Sequence, residues 1–140
     1  MTRLLPLLTL FIVASSARAG AADPGLTPPP ADAGAAAWTA FSDNLVRALK
    51  TEHEGLRCSA LQHVVAYGER VDVRRARFEV TRLFRDHADP RVRMLALSAL
   101  TQIDDRWVTD FLRRSARFEK DPRLARILRH AARHSEERTS

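Results

Sequence analysis

Asp89-Pro90-Arg91-Val92-Arg93-Met94-Leu95-Ala96-Leu97-Ser98-Ala99-Leu100-Thr101-Gln102-Ile103 is the stretch on which the fold turns. Aspartate at a helix N-cap accepts a hydrogen bond from an otherwise unpaired backbone N–H, and proline at the next position loses nothing by lacking its own. Asp89-Pro90 therefore marks a helix start. Behind it Val92, Leu95, Ala96, Ala99, Leu100 and Ile103 recur at close to 3.6 residues, the period of one buried helical face.

The same start returns further along. Asp121-Pro122 precedes Leu124, Ile127, Leu128 and Ala131, and Glu54-Gly55-Leu56-Arg57 opens a weaker version carrying Leu56, Ala60, Val64 and Tyr67. Leu56, Val92 and Leu124 hold matching positions, 36 and then 32 residues apart. Helical periods also fill the intervals. One holds Trp38, Phe41, Leu45, Ala48 and Leu49. A second, capped by Asp72, holds Val73, Ala76, Val80, Leu83 and Phe84, and a third begins near Asp105 with Trp107, Val108, Phe111 and Leu112. Gly55 and Gly68 fall at breaks in this pattern. No alternating strand pattern of useful length occurs. The expected fold is all-α, a short right-handed α-solenoid of about three antiparallel helix pairs, each unit burying its apolar face only by stacking on the next.

Asp89-Pro90-x-Val92-Arg93-x-x-Ala96-x-x-Ala99-Leu100 resembles the second-helix motif of HEAT-like repeats of the phycobilisome-lyase type. The match is close in this repeat and looser in the others, where Gly55 replaces the proline and Ala125 the arginine. The resemblance covers roughly 100 residues as architecture. It implies a stack that binds partners along its surface, and it does not imply lyase chemistry, because one scaffold hosts many functions.

The chain's ends have other signatures. Arg3, the apolar run Leu4–Val13 and the small-x-small triplet Ala17-Arg18-Ala19 predict a signal peptide over 1–19, cleaved near Ala19. The run is too short to span a bilayer, which takes roughly 20 residues. Export from the cytoplasm, to the periplasm or beyond the cell, is the expectation, and the Ala/Arg/Pro-rich composition is of a bacterial kind. Residues 20–34, with Pro28-Pro29-Pro30 at their centre, predict a disordered Ala/Pro-rich tether. The repeat domain is expected over 35–135 and a polar tail over 136–140. Cys58 is the single cysteine, so no internal disulfide forms and the fold rests on its core.

A second stripe runs beside the core pattern. Cys58, Leu61 and Val65 share one helical face, the equivalent positions in the next pair are Met94, Leu97 and Thr101, and in the last they are Arg126, Arg129 and Arg133. Two readings fit. Interior helices of a stack touch neighbours on several sides, and a last helix needs a soluble face. Alternatively the nine residues line a groove with apolar anchors at one end and three arginines at the other, suited to an acidic peptide or an amphipathic helix. Arg57 and Arg93 match across repeats. With the caps Asp89, Pro90, Asp121 and Pro122 they are expected to be structural, tying adjacent loops.

Catalytic signatures are lacking. His130 and His134 stand at metal-binding spacing with Glu137 nearby, but Ala-Ala-Arg between them supplies no general base, and solvated residues near a helix end are the simpler reading, so no metal is expected. His53 and His87 are expected to end helices, where a cation is favoured by the dipole. Cys58 has no base beside it, and two glycines in the helical part make no phosphate loop. No enzyme, cofactor or nucleic-acid partner is expected, the net charge being a modest +6 with acids interleaved among the arginines. The expected function is a protein–protein interaction or scaffold module for an unidentified, acidic partner. Alternatives are an electrostatic binder of lipid headgroups or acidic polymers, and a self-associating structural protein.

Overall fold

The computed structural model describes residues 26–139. The expected signal peptide with its cleavage point, and residues 20–25 of the expected tether, lie outside them. Six α-helices occur among the described residues: α1 (Ala35–Lys50), α2 (Glu54–Tyr67), α3 (Arg77–Asp86), α4 (Pro90–Leu100), α5 (Arg106–Phe118) and α6 (Pro122–Thr139). A 3₁₀ turn, Arg74–Ala76, leads into α3, and no strand occurs among the described residues.

Local chemistry accounts for the starts. The Arg91 N–H donates to the Asp89 carboxylate at 2.8 Å and the Arg123 N–H to that of Asp121 at 2.8 Å, each with proline following the cap. Asp105 caps α5 by accepting from Trp107 N at 2.8 Å. Asp72 accepts from Arg74 N at 3.0 Å at the entry to the 3₁₀ turn, whose N-cap is Val73, so it does not cap α3, whose N-cap is Ala76. His53 departs from its expected role. It is the N-cap of α2, its Nδ1 accepting from Leu56 N at 3.1 Å, so it opens α2 as a hydrogen-bond acceptor and does not end α1. His87 does close α3, its N–H bonding Leu83 O at 3.2 Å.

The helices pack in successive pairs, α1 with α2, α3 with α4 and α5 with α6, and α2 also lies against α4. Leu45, Leu49, Leu61, Val64, Val80, Leu100, Val108, Leu112 and Leu128 are fully buried between them. Each such side chain contributes about 1.5–3 kcal/mol relative to exposure. Two aromatic groups brace the stack. Trp38, Phe41, His63 and Tyr67 join α1 to α2, with ring centroids 5.5–6.2 Å apart. Phe78 meets Trp107 at 4.8 Å and Phe84 meets Phe111 at 6.2 Å, both edge-to-face, linking α3 to α5. Arg77 reaches across the same junction to Asp105, Nη1 to Oδ2, at 3.7 Å.

Both ends are more engaged than expected. Leu26 is 4% exposed and belongs to the core, Ala33 packs against it, and the Arg70 guanidinium donates to Ala31 O at 2.8 Å while lying 5.1 Å over the Trp38 ring. Residues 26–34 are thus laid on the domain rather than hanging free of it. Composition counts their glycines, alanines and prolines but does not see that one leucine finds an apolar seat. At the other end the expected polar tail continues α6 to Thr139, held by Glu136 on Arg113 and by Arg138 Nη2, which donates to Gln102 O at 3.5 Å.

Candidate functional site

The third helix pair leans on the second through the ring contacts of α3 and α5, and the α4–α6 side of that junction is left open. Two clefts result. One, of about 640 Å³, lies at the end where α3 joins α4 and α5 joins α6. Its apolar lining is Phe84, Met94, Phe111, Phe118, Leu124 and Leu128, with Arg85, Arg93 and Arg114 against Asp86 and Glu119 among the charges. The other, of about 340 Å³, is bordered by Val65 of α2, by Met94, Leu97, Ser98 and Thr101 of α4, and by Ile127, His130 and His134 of α6. Met94 lines both.

Exposed apolar side chains gather here. Phe118 is 73% exposed, Ile127 44%, and Val65 and Met94 38% each. Phe78, at 54%, is the exposed large apolar residue away from the clefts, and it is covered on one face by the Arg77 guanidinium at 4.6 Å. Apolar groups bordering a concavity between rigid elements are a usual mark of a recognition site.

The structure brings together part of the predicted groove and divides the rest. Val65, Met94, Leu97 and Thr101 share the smaller cleft. Leu61 is fully buried and Leu97 nearly so, so both serve the core first. Cys58 is half-buried, and burial foremost, with Glu54 and Asp89 adding, pushes its thiol pKa up against the opposing pull of Arg57. That is the environment of an inert thiol. Arg126, Arg129 and Arg133 do not continue the groove. Repeat alignment treats α6 as equivalent to α4, but α6 is held chiefly against α5 and buries Ala125, Leu128, Ala131, Ala132 and Ser135. A shift of one residue turns a helix by about 100°. The face of α6 turned to α4 is consequently Ile127, His130 and His134, and Arg129 and Arg133 lie on the other side.

The two matched arginines also part company. Arg93 ties the α3–α4 loop, its Nη1 donating to His87 O at 2.7 Å and Ala88 O at 3.3 Å. Its partners are two loop carbonyls, with no acid among them. Arg57 makes no such tie, and its Nε is buried without a hydrogen-bond partner.

One feature was legible in the sequence but is carried by no single motif. Residues 26–105 hold eleven arginines and lysines against eleven acids, whereas residues 106–140 hold ten against five. The folded part's entire positive excess sits on the third helix pair.

Among the described residues no group of three or more His, Cys, Asp or Glu is placed to hold a metal ion, and no helix is long and apolar enough to cross a membrane. Comparison with known proteins finds no matching family model, no matching curated protein and no matching solved structure.

Proposed function

We propose that this protein is a non-enzymatic interaction module, a short HEAT-like α-solenoid that holds an acidic amphipathic helix of a protein partner between its second and third helix pairs. One observation carries the reading. The larger cleft sets exposed Phe118 and Met94 beside exposed Arg85 and Arg114, neither of which has an ion pair among the described residues. Helix-in-groove recognition uses this combination, apolar anchors one turn apart meeting apolar side chains while the partner's carboxylates take the rim. Arginine suits the rim because its planar fork grips a carboxylate with two bonds. Asp86 and Glu119 dilute the rim charge, so local complementarity favours an acidic partner only modestly. The positive third pair adds longer-range attraction for the same partner.

The solenoid form is supported by the three matching helix starts, the pairwise packing and the contact of α2 with α4. Export is supported by Arg3, the apolar run and the Ala17-Arg18-Ala19 triplet.

Selection of random peptides on the purified protein tests the reading. Enriched sequences should place apolar residues at i, i+3 or i+4 and i+7, with Asp or Glu between them. Phe118→Asp should then abolish their binding while the melting temperature stays within about 2 °C, since Phe118 is largely exposed. Selected peptides that bind Phe118→Asp as well as the parent would sink the proposal.

A further inference from the structure

On the side of α5 away from the larger cleft, α5 and α6 enclose a further depression of about 390 Å³. Arg113 and Arg117 of α5 and Arg129, Arg133 and Glu136 of α6 wall it, and Ala116 and Ala132 form its floor. At about 100° per residue, Arg113, Ala116 and Arg117 project nearly opposite to Phe111, Arg114 and Phe118, so this trough and the cleft are separate surfaces.

Its arginines are not employed alike. Arg113 is engaged, donating to Glu136 through Nε at 3.0 Å and to Asp110 through Nη1 at 3.1 Å, which closes one end of the trough. Arg129 and Arg133 have neither an ion pair nor a hydrogen bond from their guanidinium groups among the described residues, and Arg117 has only a ring contact with Phe118 at 5.7 Å. In the Arg74-Arg75-Arg77 cluster, by contrast, each arginine meets an acid. Arg74 bonds Asp72, Arg75 bonds Asp43, Arg77 meets Asp105 and Arg91 bonds Asp89. A face needed only for solubility would mix signs in the same way. Here three unpaired guanidinium groups converge over a floor of small residues, an arrangement of like charges that an anion relieves.

We infer that the trough bounded by Arg117, Arg129 and Arg133 is a binding site for a phosphate-bearing anion. The planar forks of the three arginines match tetrahedral phosphate oxygens, and the alanine floor lets the group settle between the helices. The open mouth leaves room for whatever carries the phosphate. That carrier is either a lipid headgroup or a soluble phosphate compound.

The experiment measures binding of the full protein to inorganic pyrophosphate by calorimetry, and to vesicles of phosphatidylglycerol or of phosphatidylcholine by sedimentation. The comparison is with Arg117→Gln/Arg129→Gln/Arg133→Gln. A control of equal charge loss, Arg47→Gln/Arg75→Gln/Arg82→Gln, lies on α1, the 3₁₀ turn and α3. The expected result is binding to at least one phosphate probe that falls about tenfold or more in the trough variant, less in the control, and steeply as salt rises to about 0.5 M. Pyrophosphate alone would assign a soluble ligand, and phosphatidylglycerol vesicles alone a membrane surface. Binding to neither, or equal losses in the two variants, overturns the site. Should the trough variant fail to fold, arginine modification by phenylglyoxal on the unaltered protein decides. Whichever probe binds must slow reaction at Arg117, Arg129 and Arg133 and leave Arg47, Arg75 and Arg82 unaffected. Uniform reaction at all six overturns it.

Discussion

The hydroxyls of Thr109 and Ser135 meet at 2.7 Å in the interior between α5 and α6, where both residues are buried. The pair fastens the second half of α6 to the first turn of α5 and fixes the rotation of α6 that sets Ile127 toward one cleft and Arg129 toward the trough. Removing the Thr109 hydroxyl strands that of Ser135 in an apolar setting, whereas without the Ser135 hydroxyl Thr109 keeps its longer bond to Asp105 O at 3.4 Å, and removing both leaves nothing unsatisfied. Thr109→Val is expected to cost about 1–2 kcal/mol and Ser135→Ala less. The Thr109→Val/Ser135→Ala double variant should cost clearly less than the two single losses together. Chemical denaturation of the four proteins measures the coupling, and strict additivity would mean the bond has no energetic weight.

Arg93 holds the α3–α4 loop by donating to two consecutive carbonyls. Because it is only half-buried, water replaces part of what a substitution removes. Arg93→Ala should therefore cost about 1–2 kcal/mol, below the figure for breaking a desolvated ion pair. Arg93→Lys should recover part of this, since one ammonium can still reach a carbonyl. Equal losses for Ala and Lys would show that the planar fork itself is needed.

How legible each feature is in the sequence follows from how local its cause is. Asp89 and Asp121 cap the helices they precede because cap, proline and bonded N–H lie within three residues. Leu45, Val80 and Leu112 fall on buried faces because period alone selects them. The rotation of α6 is a different matter. It depends on Thr109 meeting Ser135 and on alanines packing against α5, contacts separated by more than twenty residues that no periodicity encodes. Leu26 is similar, since a leucine isolated among alanines and prolines carries no pattern, yet it completes the core. For His53 the sequence offers only a place near a helix end. Its actual role as an acceptor depends on which nitrogen faces Leu56 N. The charge imbalance between residues 26–105 and 106–140 is a plain count, but only the packing of α5 on α6 brings Arg117 together with Arg129 and Arg133.

His63 sets a pH dependence. It lies edge-to-face against Phe41 and stacked on Tyr67, and burial lowers its pKa from the ordinary value. The unfolded chain, with a histidine pKa of about 6.5, therefore takes up the proton at a pH where the folded protein resists it. Its contribution to stability is complete above about pH 6.5 and is lost as pH falls from there through the lowered folded value. Melting temperature should drop over this interval, and His63→Gln should flatten that part of the profile. A profile unchanged by His63→Gln would place the titration on another group.

Gly68 is not at its position for backbone freedom, because it follows α2 with φ −49° and ψ −33°, open to any residue. What it supplies is room. A Cβ built there would stand 2.7 Å from Cβ of Gln102 and 2.4 Å from its Oε1, so the absent side chain lets the end of α2 approach the end of α4. The Gln102 amide can swing away, but its Cβ is fixed to the backbone and cannot. Gly68→Ala should thus cost about 1–3 kcal/mol by forcing the two helix ends apart, despite alanine's better helix propensity. Truncating the obstructing side chain tests the cause only in part, since Gln102→Ala relieves the amide contact and keeps the Cβ. Gln102→Gly in the Gly68→Ala background removes the contact entirely and should recover more stability than Gln102→Ala does. Should both recover the same amount, the clash is with the amide alone, and α2 and α4 are held by something other than this close approach.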